Sequence, residues 1–149
     1  MRKIIEMNLE VGTPIKINYS NGESAVGYYG GLGRGVSISL GHSLEENQEF
    51  PFNYYFGPAE SIKRLYTKKE ISSFDSLENK IKEGEIIELT IPRNYNNTKK
   101  GNILGYHRGI KFGGEIIICE SNKGMAFCNQ VSASFIPLIK SIKVLGEEA

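Results

Sequence analysis

Three groups of residues have the types and spacing that chemistry needs. The first is GYYGGLGRG, Gly27 to Gly35, where five of nine residues are glycine. A phosphate-binding loop uses glycines to bring backbone N–H groups to an anion at the start of a helix. The next segment here is VSISL, from Val36 to Leu40, which is a strand sequence. The stretch therefore reads as strand, glycine-permitted bend, strand. The second group is Cys119, Cys128, His42 and His107, the only cysteines and histidines of the chain. They stand at no zinc-ligand spacing, so no metal is expected. The cysteines read as two buried thiols, with a disulfide as the alternative. Neither histidine has a serine, cysteine or carboxylate at a catalytic spacing. His42 reads as a surface residue and Glu45-Glu46 as a solvated loop. No catalytic residue, enzyme activity or cofactor is expected.

The third group is aromatic and basic. In EFPFNYYFG, Phe50, Phe52, Tyr54, Tyr55 and Phe56 fall on both faces of a strand. One face fills a core. The other either stacks on bases, grips a peptide, or is buried against a second copy or a partner. Arg34 lies in the glycine bend, Arg108 and Lys111 in an equivalent later bend, and Lys99 and Lys100 in an adjacent loop. Lys63, Arg64 and Lys143 lie on later strands. The candidate binding set is Arg34, Tyr54, Tyr55, Lys99, Lys100, Arg108 and Lys111.

The elements that position these residues follow from a repeat. ESIKRLY and KSIKVLG share S-I-K-x-L, at Ser61 and Ser141. Gly27, Tyr28, Gly31, Gly35, Ile38 and Ser43 align without gaps on Gly105, Tyr106, Gly109, Gly113, Ile116 and Ser121. Two copies of one unit result, over about residues 8–67 and 82–146. In domain terms, residues 1–67 form a first small barrel, 68–83 a helical linker and 84–149 a second barrel.

Within each copy PIKINYS, SAVGYYGGL and VSISL, or EIIELTI, GNILGYHRGI and GEIIIC, alternate as strands. FPFNYYF and AFCNQVSASF give fourth strands, and SIKRLY and SIKVL close each unit. Asn21-Gly22 predicts a two-residue hairpin loop. Gly27 is expected to relieve crowding where the second strand bends. In the linker, Ser76 or Asp75 caps a helix that Gly84 stops, with Phe74, Leu77 and Ile81 on one face. The N-terminal RKIIEMNLE is either an equivalent helix or a strand. The expected class is mainly β: two tandem five-stranded small β-barrels with a short linker helix.

IKINYSNGESAVGYYGGLGRGVSISL resembles the first motif of the Sm-like family of small β-barrels, and SIKRLY resembles its closing strand. The resemblance covers about two-thirds of each copy and implies a barrel preceded by a short helix, ring assembly and RNA binding. The family's base-reading Asp-x-x-x-Asn-type loop is replaced by Gly33-Arg34-Gly35 and Lys111-Phe112-Gly113, and no Arg-Gly pair precedes either closing strand. No family site residue is carried over.

Bulk properties bound the partners. The net charge of +1 lacks the basic excess of a tight, non-specific nucleic-acid binder but permits a local basic stripe. MRKIIEMNLEVG is too short and too charged for a signal-peptide core, and no run approaches a membrane span. A cytoplasmic location without membrane contact is expected. The expected function is non-enzymatic binding, to RNA first. The alternative is a protein-interaction or assembly module that docks a peptide or another copy through the aromatic strand. No small-molecule substrate is indicated.

Overall fold

The computed structural model describes residues 8–10, 12–32, 36–40, 59–75, 77–92, 101–110, 115–119, 121–123, 128–131, 139 and 141–147. These residues are mainly β, as the alternating segments require. The elements are β1 (Pro14–Tyr19), β2 (Ser24–Leu32), β3 (Val36–Leu40), β4 (Ala59–Ile71), a one-turn helix α1 (Leu77–Lys80), β5 (Ile86–Ile91), β6 (Gly101–Ile110), β7 (Ile116–Cys119), β8 (Cys128–Val131) and β9 (Ile142–Glu147). The strands form one antiparallel sheet in the order β3-β2-β1-β4-β9-β5-β6-β7-β8.

The repeat is kept residue by residue in this sheet. Ile15 pairs with Gly27 on one side and Arg64 on the other; Ile87 pairs with Gly105 and Val144. The turns leading into β1 and β5 match as well. Thr13 N donates to Glu10 O and Glu85 N to Lys82 O, both at 3.1 Å. Gly12 and Gly84 take φ of +94° and +96°, a region that L residues with a Cβ avoid. In each copy the closing strand returns beside the first. Arg64 and its upstream neighbours in β4 pair with β1, while Leu65 to Ile71 pair with β9. The two S-I-K-x-L strands thus weld the copies together.

The bend in GYYGGLGRG is hairpin chemistry, as expected. β2 runs to Leu32, β3 starts at Val36, and the two residues pair with each other. The gap-free alignment with the second copy needs correcting. Tyr29 pairs with Ile38 and His107 with Ile118, so Ile38 corresponds to Ile118 rather than Ile116. Three residues separate Leu32 from Val36 and five separate Ile110 from Ile116. Both bends carry the same one-residue register shift, so the two additional residues of the second copy fall between Ile110 and Ile116.

Two further expectations are overturned. The Asn21-Gly22 loop has three residues, not two. Tyr19 N donates to Glu23 O at 2.9 Å and Gly22 alone carries a positive φ, +84°. A two-residue type I′ loop would need positive φ at both central residues, and Asn21 instead accepts the Glu23 N–H through Oδ1 at 3.0 Å. The cysteines are not two free thiols. Cys119 is disulfide-bonded and no cysteine is free. Cys128, the other cysteine of the chain, is the directly opposed residue of β8. Opposed residues in an antiparallel pair bring their Cα atoms to about 4.5–5.5 Å, inside the span of a disulfide.

Burial follows strand alternation. Ile15, Ile17, Ala25 and Tyr29 form the first copy's core, with Leu9, Tyr19 and Ile62 packed on it. The second copy's core gathers Ile87, Leu89, Ile103, Ile116, Ile118, Val131, Ile142 and Val144. Leu77 and Ile81 of the helical segment join that core and Phe74 packs against it, as their spacing predicts. A third cluster uses the other face of strands from both copies: Val26, Tyr28, Leu65, Ile86, Leu104, Tyr106 and Leu145. It arises because β2 and β6, equivalent strands of the two copies, face each other. Each buried aliphatic side chain contributes about 1.5–3 kcal/mol of transfer free energy. Among the described residues no helix is long and apolar enough to cross a membrane.

Candidate functional site

Of the seven predicted site residues, only Arg108 falls among the described residues. Arg34, Tyr54, Tyr55, Lys99, Lys100 and Lys111 lie outside them, as do His42 and the aromatic stretch 50–56. Arg108 stands near the end of β6, half-buried, and its Nη1 donates to Ser121 O at 3.1 Å. Its guanidinium ties β6 to the turn after β7.

Polar residues line the junction between the copies. Tyr28 and Tyr106 are repeat equivalents, and each reaches into the opposite copy. Tyr28 OH donates to Glu88 Oε2 at 2.6 Å, and Tyr106 OH shares a 2.5 Å hydrogen bond with Ser24 Oγ. Burial raises the Tyr28 phenol well above its ordinary value, and the charge and hydrogen bond of Glu88 add to the rise. Burial also raises Tyr106, and Glu147 pushes the same way; Ser24 and Lys16 oppose it. Lys16 Nζ and Glu147 Oε1 lie 3.1 Å apart. Ser24, Tyr28 and Tyr106 are all buried. This arrangement holds the two copies together.

His107 is the second buried polar residue of note. It is 3% exposed, and among the described residues neither ring nitrogen has a hydrogen-bond partner. Its backbone is fully used: His107 N donates to Glu85 O and Gly84 N donates to His107 O, both at 2.7 Å. The first copy places Tyr29 in the same backbone setting. An unsatisfied buried polar group costs about 1–3 kcal/mol. His107→Phe is therefore expected to raise stability by about 1 kcal/mol, read as a higher urea midpoint at unchanged slope. A loss of stability would show that the imidazole is bonded after all. Among the described residues no group of three His, Cys, Asp or Glu side chains is placed to hold a metal ion.

The one large apolar side chain exposed among the described residues is Tyr66, at 41%. It sits on β4 where that strand leaves β1 and joins β9, and by strand alternation it faces away from Leu65 of the shared cluster. Its cross-strand partner is Gly146. No side chain stands at Gly146, and Lys68 fills the space. A Cβ built there would lie 2.9 Å from Lys68 Cε and 3.1 Å from Cγ. The register shift between Thr67 and Lys69 lets Lys68 lie over the glycine. Tyr66 and Lys68 are thus side by side. Arg64, half-buried and already engaged, precedes Tyr66 on the same face by strand alternation. Lys69 is committed elsewhere, donating from Nζ to Lys80 O at 2.9 Å.

Lys63 and Arg64 were noted from sequence, but Tyr66 and Lys68 were missed, although KRLYTKK carries four cations around one tyrosine. The repeat offered a signal too, since Gly146 replaces Tyr66 in the second copy. No protein family, curated protein or solved structure matches this chain.

Proposed function

We propose that the chain is a non-enzymatic RNA-binding protein, built as two tandem small barrels of the Sm-like kind, and that β4 contributes to its binding surface. Return of the closing strand beside the first strand in both copies supports the barrel reading. The exposed Tyr66 with Lys68 laid beside it carries the RNA reading. A tyrosine face accepts any base by stacking, worth about 1–3 kcal/mol per base, and flanking cations neutralise phosphates. The cations Arg34, Lys99, Lys100, Arg108 and Lys111 are further candidate phosphate contacts in this reading, and Tyr54 and Tyr55 further candidate stacking residues.

Fluorescence anisotropy with a single-stranded oligoribonucleotide tests the proposal. Affinity is expected to fall steeply between 50 and 200 mM salt, roughly in proportion to the phosphates neutralised. Tyr66→Ala is expected to weaken binding about tenfold or more, and Lys68→Ala to lower the salt slope by about one. No binding at 50 mM salt, or a Tyr66→Ala affinity equal to wild type, would sink the RNA reading. Protein capture that is insensitive to salt would favour the assembly module instead. The 260-to-280 nm absorbance ratio of protein purified without nuclease gives an independent check.

A further inference from the structure

We propose that the Cys119–Cys128 bridge is a redox clamp on the docking of the second copy against the first. The bridge joins the opposed ends of β7 and β8 and so closes their hairpin. The residues just past Cys119 do the docking. Ser121 forms an antiparallel bridge with Ala25. Ser24 N donates to Asn122 Oδ1 at 2.9 Å, Asn122 N to Ser24 O at 3.1 Å and Asn122 Nδ2 to Gly22 O at 3.3 Å. Arg108 braces the same turn through Ser121 O. Across the ladder Cys119 pairs with Tyr106, whose hydroxyl meets Ser24. The covalent bond therefore abuts the junction along the strand and across it.

β7 and β8 have four residues each, and β8 is the last strand in the sheet order. So short a terminal ladder opens readily unless it is cross-linked. The bridge removes those open hairpin states, and Ser121 and Asn122 inherit the order. The coupling is reciprocal. Cys119 is fully buried, so docking shields its sulfur, while oxidation favours the docked form.

Reduction proceeds by exchange with a small dithiol. Its thiolate attacks one cysteine sulfur, the S–S bond breaks, and the released cysteine takes a proton. The reagent's second thiol then displaces the other cysteine, leaving two protein thiols and a cyclic disulfide. A small disulfide such as oxidised glutathione restores the bridge by the reverse exchange.

Amide hydrogen exchange on the whole chain, oxidised and then reduced with dithiothreitol, tests the clamp. Ser24 and Asn122 amides bond only across the copies, whereas Tyr29 and His107 amides bond within one copy. Reduction is expected to speed exchange at Ser24 and Asn122 by about tenfold, within the usual range of coupling between sites, with Tyr29 and His107 held within about twofold. Cys128→Ala is expected to match the reduced protein. The same measurement on the reduced unaltered chain stands if that variant does not fold. Unchanged exchange at Ser24 and Asn122 overturns the proposal. So does an equal rise at all four amides, which marks general loosening, or two titratable thiols in the air-oxidised protein.

Discussion

Gly105→Ala is expected to cost about 3 kcal/mol or more, at the upper end of what overpacking one methyl does to a core. A Cβ on Gly105 would collide with Ile118 Cγ2 and stand 2.8 Å from Cys119 O and 3.2 Å from its carbonyl carbon. Side chains can turn aside, but a strand carbonyl cannot retreat without leaving its ladder. β7 would be pushed from β6, and with it Ile116 and Ile118 of the second core. The comparison that isolates this cause is Gly84→Ala. Gly84 has φ of +96° and nothing within 4 Å of a new Cβ. It bears only the cost of a left-handed backbone, about 1–2 kcal/mol. Denaturant midpoints of the two variants should therefore differ clearly. Equal losses would mean that β6 and β7 do not approach this closely.

Alkaline pH is expected to unfold the protein steeply, through Tyr28 and Tyr106. Both phenols are buried and raised from their ordinary value near 10. Below that value both are protonated in the folded and unfolded chains, and the full stability is present. Above it the unfolded chain releases the protons first, so the folded chain binds more of them and stability falls as pH rises. Each such group contributes about 1.4 kcal/mol per pH unit, so the pair contributes about 2.7 kcal/mol per pH unit until the folded pKa values are reached. Urea midpoints at pH 9, 10 and 11, with absorbance of the phenolate, read this directly. Tyr28→Phe should remove about half of the slope. A flat profile across that range would show that neither hydroxyl is shielded from water.

Both predictions rest on equivalent positions in the two copies, and the sequence showed that equivalence. Gly27 was legible as a relief of crowding, and at its equivalent Gly105 a Cβ would meet Ile118 and Cys119, whereas the register shifts come further along, at Tyr29–Gly31 and His107–Ile110. The two S-I-K-x-L segments were legible as closing strands. That they lie side by side was not. Nothing local marks which strand covers a neighbouring edge.

The candidate site was less legible still. Tyr66 looks in sequence like an ordinary strand aromatic. Its exposure depends on Gly146 standing opposite, a neighbour 80 positions later in the chain. The disulfide was ranked behind two thiols for a related reason. Cys119 and Cys128 become partners through the register of β7 on β8, which their spacing alone does not fix.

By itself the sequence determined the β class, the twofold repeat, the bends and the apolar face of Phe74, Leu77 and Ile81. These depend on alternation and on glycine's backbone freedom, which act over a few residues. Only the tertiary structure decided the β4–β9 weld, the Tyr28–Glu88 and Ser24–Tyr106 contacts, the cysteine bridge and the exposure of Tyr66. Alternation states which of two faces a side chain occupies. What covers that face depends on a different part of the chain folding back to meet it.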